Sequence, residues 1–264
     1  MPPSALLSLP QSARIVVVSD LQTPFHDQPA VDNLLAFIKD FEPDALVNVG
    51  DDIDSPQVSG FSKGQAGEFA ATLQANADQC KAVHAAFREA LGDKPYHISR
   101  SNHGDRLQRY IARYAPALAD LRCLQLAELL GYDQLGITYH ESPFEIAPGW
   151  VCCHGDEGNL SRIAGRTAAT LAERFGVSVV CGHTHRAAVS FKSYGYGWRV
   201  TKSLGSMEVG HLMDLAQAEY LDRSGGWADW QSAFGILYVS GDRVSPVVIP
   251  VTDSAFMVDG LSYG

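Results

Sequence analysis

Arg14-Ile15-Val16-Val17-Val18-Ser19-Asp20-Leu21-Gln22 is a run of apolar, β-branched residues that stops at a carboxylate. The run reads as a fully buried strand, and the polar residues after it as the loop at its end. The same pattern returns four times. Asp44-Ala45-Leu46-Val47-Asn48-Val49 stops at Gly50-Asp51-Asp52-Ile53-Asp54, and Tyr96-His97-Ile98-Ser99 leads into Ser101-Asn102-His103. Trp150-Val151-Cys152-Cys153 ends at His154, and Val177-Ser178-Val179-Val180-Cys181 ends at Gly182-His183-Thr184-His185. Helical stretches lie between the strands. Residues 29–41 carry Val31, Leu34, Leu35 and Ile38 at helical spacing, and 66–91 carry Leu73, Ala77, Cys80, Val83 and Phe87 on one stripe. A further helix is expected at 161–175. Alternating strands and helices make an open α/β sheet, which builds its sites at strand ends.

After His185 the pattern changes. Residues 186–250 alternate, with turn signals at Tyr194-Gly195, Gly225-Gly226 and Gly241-Asp242. Gly235-Ile236-Leu237-Tyr238-Val239 and residues 244–251 read as a closing antiparallel hairpin. Residues 106–131 look helical in two pieces, broken near Pro116, and form a candidate helical cap at about 104–131. No stretch reads as a linker or a repeat. The expectation is one domain over 1–264, with two sheets face to face and helices outside.

Composition narrows the function. Of the 264 residues, 46% are hydrophobic, enough for a substantial core. The formal net charge is −10, and no basic stripe suited to a long nucleic acid stands out. A phosphate-handling pocket in such a chain needs cations to make it positive. The five cysteines are an odd number, and Cys153 and Cys181 sit in apolar runs. They read as reduced, buried thiols in a reducing, cytoplasmic compartment. Met1-Pro2-Pro3-Ser4-Ala5-Leu6-Leu7 has neither the basic start nor the sustained apolar core of a signal peptide. No run is long enough to span a bilayer, so no membrane partner is expected.

The polar clusters hold the chemistry. Carboxylate oxygens, amide oxygens and imidazoles together describe a site for two divalent cations. Two such ions form a clamp for in-line displacement at phosphorus. Each cluster alone has a plainer reading: Asp51 to Asp54 as an acidic helix start, Asn102-His103 as a turn. The ordered set is what carries the signal. His84 and His97 read as structural, and His140 as ambiguous. His211 is ambiguous too, with lining the pocket as one option. Trp227 and Trp230 read as packing for the last hairpin rather than a base-stacking platform.

The ordered set resembles the calcineurin-like metallophosphoesterases, whose pattern is D-x-H, G-D-x-x-D, G-N-H-[D/E], H and G-H-x-H. The resemblance covers roughly residues 14–186, and four of the five blocks match at their key positions. The first block is most similar to a subgroup common in phage and prophage genomes, with Gln in the D-x-H slot. The resemblance implies a four-layer α/β/β/α sandwich of two mixed β-sheets flanked by helices. It implies that Asp20 and His185 hold the first metal, with Gln22 in the slot of the missing His. Asp51 would bridge both ions, and Asn102, His154 and His183 would complete the second. His103 would face the phosphate and bind its oxygens or protonate the leaving oxygen.

Two departures bear on this. Gln22 offers an amide oxygen for an imidazole, which favours Mn²⁺ or Mg²⁺ over Fe, Ni²⁺ or Zn²⁺; His26 is the alternative ligand. In Ser101-Asn102-His103-Gly104-Asp105 the family's Gly is Ser101 and its acid is Gly104. Asp105 or Asp54 then takes over orienting His103. The function expected is hydrolysis of phosphodiesters, small nucleotides and cyclic ones included, by metal-activated hydroxide. The alternatives are a nuclease on short DNA or RNA, or a weakly active or inactive metal-binding scaffold. A phage-encoded member would work in the host cytoplasm. The oligomeric state stays open.

Overall fold

The computed structural model describes residues 9–64, 66–217 and 229–264. The chain begins with β1 (Ser12–Val18), α1 (Gln28–Phe41) and β2 (Ala45–Asn48). Next come α2 (Ala66–Phe69), α3 (Leu73–Leu91), β3 (Tyr96–Ser99), α4 (Arg106–Tyr114), α5 (Leu126–Leu129) and β4 (Ile137–His140). A second run holds β5 (Phe144–Ala147), β6 (Trp150–Cys152), α6 (Arg166–Phe175), β7 (Ser178–Cys181), β8 (Ala187–Tyr196) and β9 (Arg199–Val209). The chain closes with β10 (Ala233–Ser240), β11 (Arg243–Pro250), β12 (Phe256–Val258) and β13 (Leu261–Tyr263).

Two large mixed sheets result. One has the order β11-β10-β1-β2-β3-β4, the other β5-β6-β7-β9-β8. β1 to β4 are parallel, and β10 and β11 add an antiparallel edge. Side chains alternate across a strand, so β1 feeds two cores. Ile15 and Val17 face the second sheet and pack with Val47, Cys152, Val180 and Met207. Val16 and Val18 face the helices and pack with Leu34, Phe37, Ile38 and Phe87. A smaller core joins α6 to the outer face of the second sheet through Leu171, Val179 and Cys181. Each fully buried Val, Leu or Ile contributes roughly 1.5–3 kcal/mol. The layers therefore run helix, sheet, sheet, helix, as expected from the sequence.

Local details differ from expectation. The stretch 66–91 is two helices, because Thr72 caps the second one: its hydroxyl accepts from Ala75 N–H at 3.1 Å. The helix expected at 161–175 starts at Arg166, after Gly165 in a left-handed conformation. The β8–β9 hairpin turns at Gly197-Trp198, both at positive φ, a two-residue turn that suits strand twist. The expected signal at Tyr194-Gly195 is instead a register shift within the ladder. The β10–β11 turn falls at Gly241-Asp242 as expected, and Gly225-Gly226 lies outside the described residues. The second helical stretch does break at Pro116. Cys80, Cys152, Cys153 and Cys181 are buried, and burial pushes their thiols well up; Cys123 is exposed. Among the described residues no helix is long and apolar enough to cross a membrane.

Candidate metal centre

The sequence-predicted site residues come from loops after β1, β2 and β3 in one sheet and after β6 and β7 in the other. Those strands are parallel within each sheet, so their loops open at one edge. Backbone bonds lace the loops together: Asp20 N–H donates to Gly50 C=O at 3.0 Å and Gln22 N–H to Asp51 C=O at 2.8 Å. Asp20, Gln22, Asp51, His183 and His185 all have φ between 48° and 65°. For residues with a Cβ this left-handed region costs of order 1–3 kcal/mol each, and such strain concentrates at functional sites. Two glycines allow the close approach. A Cβ on Gly182 would lie 1.8 Å from Ser19 Oγ, and one on Gly50 would lie 2.6 Å from Ser101 Cβ.

Each carboxylate uses one oxygen as an anchor and presents the other. Asp20 Oδ2 accepts from His183 N–H at 2.9 Å and from the Ser19 hydroxyl. Its buried Oδ1 accepts no hydrogen bond and lies 3.0 Å from His185 Nε2. Gln22 is buried beside them, and its amide nitrogen donates to the same His185 Nε2 at 2.8 Å. Two lone pairs, of Asp20 and His185, thus face each other. For Gln22 to join them as a ligand its amide must turn over to offer oxygen.

The other half is built alike. Asp51 Oδ1 accepts from His103 N–H at 3.0 Å, and Oδ2 lies 3.2 Å from His154 Nε2. His154 Nδ1 donates to Val49 C=O at 2.8 Å, which leaves Nε2 for the site. Asn102 Oδ1 lies 2.9 Å from that Nε2. Ligand atoms of Asp51, His154 and His183 lie within 4.8 Å of one another. Carboxylate oxygens, an amide oxygen and imidazole nitrogens converge here, a set that a divalent cation would take as ligands on displacing the His154 proton, so the residues fit. The charges agree. Burial raises the Asp20 carboxyl, but His185 outweighs it and holds the group low. Burial raises Asp51 too, and His103 and His154 pull it well below the usual range. Burial lowers His154, yet Asp51 lifts it to about 10. Burial and His154 lower His183.

His103 sits on the cavity wall. Its Nδ1 lies 3.0 Å from Asp54 Oδ1, and its Nε2 accepts from Arg106 Nη2 at 2.7 Å. Arg106 Nη1 donates to Asp54 Oδ1 at 2.7 Å and to the Asp54 carbonyl. Burial raises the Asp54 carboxyl; His103 and Arg106 bring it below its ordinary value. Of the two acids expected to orient His103, Asp54 is the one brought to it. Asp105 is not: it opens α4 and accepts from Arg100 Nε at 3.0 Å and Arg109 Nη2 at 3.2 Å. A cavity of ≈ 300 Å³ is lined by Gln22, Asp51, Asp54, His103, Arg106, His183 and His185, with Ser59, Phe61 and Ser62. Arg106 and the 59–62 loop were absent from the sequence expectation. The only signal was a cation three residues after His103.

The remaining histidines lie apart. His26 Nε2 pairs with Gln28 Oε1 at 2.8 Å and does not line the cavity, whereas Gln22 does. His84 is buried between Tyr96 OH at 2.7 Å and Asp52 Oδ2 at 2.8 Å. His97 Nδ1 and His140 Nε2 are 2.9 Å apart. His211 is fully buried behind His185 and outside the cavity lining, and burial pushes it down to about 3. Trp230 packs edge-on against His185 at 4.3 Å rather than on the last hairpin alone. Trp227 lies outside the described residues.

No family model matches the chain. Two curated relatives do. The Gene 54 protein of Mycobacterium phage D29 is 38% identical over 252 residues, covering 94% of this chain and 98% of its own. The Gene 54 protein of Mycobacterium phage L5 matches with the same identity and coverage. Among solved structures, Vacuolar Protein Sorting 29 from Cryptosporidium parvum aligns over 96% of this chain and 98% of its own, with a TM-score of 0.50 and 13% identity. At that identity the likeness concerns the fold alone, two mixed sheets packed face to face between helices. By sequence, the chain belongs to the family of these mycobacteriophage Gene 54 proteins.

Proposed function

We propose that this protein is a divalent-metal-dependent phosphoesterase acting on phosphodiesters of nucleotides, cyclic ones included. The observation that carries the reading is the pairing of presented lone pairs with a held imidazole. Asp20 with His185, and Asp51 with Asn102, His154 and His183, turn donor atoms to one edge of the sheets. Divalent cations bound there would screen the phosphoryl charge and lower the pKa of water. Mn²⁺ is the favoured ion, with Mg²⁺, Fe, Ni²⁺ and Zn²⁺ as alternatives, and an oxygen from Gln22 would suit the harder ions. That the relatives are phage proteins is in keeping with a phage-type member acting in the host cytoplasm.

The chain's own groups would do the rest. Asp54 Oδ1, 3.0 Å from His103 Nδ1, would orient the ring and leave Nε2 for the cavity. Arg106 would move its fork from His103 Nε2 to the phosphoryl oxygens, a geometry guanidinium suits. Nε2, freed of that bond, would take up a proton from water and could then pass it to the leaving oxygen. The test is turnover of a chromogenic diester with added Mn²⁺. It should vanish with a chelator and in Asp51→Asn, which removes the charge between the two halves. Full turnover in metal-free protein would refute the reading. Metal binding without turnover of any diester would assign the protein to the scaffold alternative.

A further inference from the structure

The net charge of −10 hides a local exception next to the cavity. A second groove of ≈ 340 Å³ runs between the 57–63 loop and α4. It meets the first cavity at Ser59, Phe61 and Arg106, which line both. On α4 the residues Arg106, Arg109, Tyr110, Arg113 and Tyr114 fall three and four apart, so one helix face carries them all. Lys63 faces them from the loop, and Glu68 is the acid in the lining. Glu68 is engaged with Gly64 N–H.

The aromatic residues are turned outward. Tyr110 and Tyr114 are 41% and 50% exposed, with ring centroids 4.9 Å apart. Cations flank them: Lys63 Nζ lies 5.1 Å from the Tyr114 ring centre, and the Arg113 guanidinium 5.2 Å. Among the described residues neither Lys63 nor Arg113 has a carboxylate partner. Exposed rings interleaved with cations are the chemistry of a stacking platform beside a phosphate track. Arg106 ties this track to the cavity, since it reaches His103 and Asp54 at one end and lines the groove at the other.

We infer that this groove binds single-stranded nucleic acid, taking the nucleotide next to the phosphate held in the metal cavity. Stacking on Tyr110 and Tyr114 needs an unpaired base, so a single strand is the occupant and a duplex is not. The groove's position relative to the reacting phosphate rests on the phosphoesterase reading; its binding of the strand does not.

The test is fluorescence anisotropy with a labelled oligodeoxythymidylate of about ten nucleotides, at low salt and with chelator present. Binding is expected without metal, and more weakly for the same label in a duplex. Tyr114→Ala should weaken it about tenfold, the loss of one stacked base. Arg113→Ala should lower the slope of log affinity against log salt by about 0.7, one phosphate contact on a single strand. Both residues are exposed, and circular dichroism confirms that the variants fold. Absent binding, a duplex bound as tightly as the strand, or variants identical to wild type would each overturn the inference. Wild type that hydrolyses a chromogenic diester yet ignores the oligonucleotide overturns the groove alone. Oligonucleotide binding with the expected variant losses, but no turnover of any diester, supports the groove and refutes the phosphoesterase reading.

Discussion

Cation binding at the Asp51, His154 and His183 group should release one proton, and the structure says from where. With no cation, Asp51 lifts His154 to about 10 against the lowering effect of burial. His183 is lowered by burial and by His154, so it is neutral at pH 7. Asp51 is well below its usual range and ionised. The one proton to displace therefore sits on His154. It sits on Nε2, because Nδ1–H already donates to Val49 C=O. A cation needs that same lone pair. Three pH units separate pH 7 from about 10, each worth about tenfold, so binding at pH 7 is weakened about a thousandfold relative to the deprotonated site. Affinity should climb about tenfold per pH unit between pH 7 and 8.5. Calorimetric titration with Mg²⁺ or Mn²⁺ in two buffers of different ionisation enthalpy counts the proton directly. A flat affinity over that range, or no proton released, would show that His154 does not ligate. The same shift governs metal-free stability. The folded His154 pKa lies above the ordinary 6.5, so its contribution is fully present below 6.5 and fades as pH rises through about 10. A bound cation should abolish that alkaline weakening.

Gln22→His should tighten the first site and widen its choice to Zn²⁺ or Ni²⁺, since an imidazole would replace an amide whose nitrogen now faces His185. Unchanged affinity and preference in calorimetry would remove position 22 from the ligand set. His103→Ala should slow esters with alkoxide leaving groups about a hundredfold or more beyond its effect on nitrophenyl esters, because nitrophenolate leaves without a proton. Equal losses on both would make His103 a phosphate binder instead. Away from the site, burial lowers His97 to about 4, with His140 as the next cause. Its folded value lies below the ordinary 6.5, so its contribution to stability is present above 6.5 and lost as pH falls toward 4. The full gap is worth about 3 kcal/mol, and solvent screening of a half-buried ring reduces it to about 1–2. Urea unfolding at pH 7 and 4.5 should show that loss, and His97→Phe should shrink it; an unchanged difference would exonerate His97.

The loops that carry the candidate ligands were legible because a strand buried on both faces has to be nearly continuous in apolar residues. A carboxylate or imidazole at the end of such a run can only be at the sheet's edge. That logic places Asp20, Asp51, Asn102, His154, His183 and His185 together without knowing any contact. It does not say which way a side chain turns. Gln22 lies where expected, yet its amide presents nitrogen, and only the surroundings of His185 decide between the two ends. Asp54 and Asp105 looked equivalent as supports for His103. One is three residues from Asp51 and the other two from His103, but sequence proximity misled. Asp105 opens α4 and is captured by Arg100 and Arg109, while Asp54 arrives from a loop about fifty residues away. Arg106 was hidden for the same reason: its partner Asp54 is brought to it by the fold. Whole-chain charge is a coarse guide to any single surface. A net −10 argued against a nucleic-acid track, yet charge acts over a Debye length of about 10 Å, not over a chain average. A phosphate beside the cavity would meet the α4 face, where three arginines and two tyrosines share one side of a nine-residue helix.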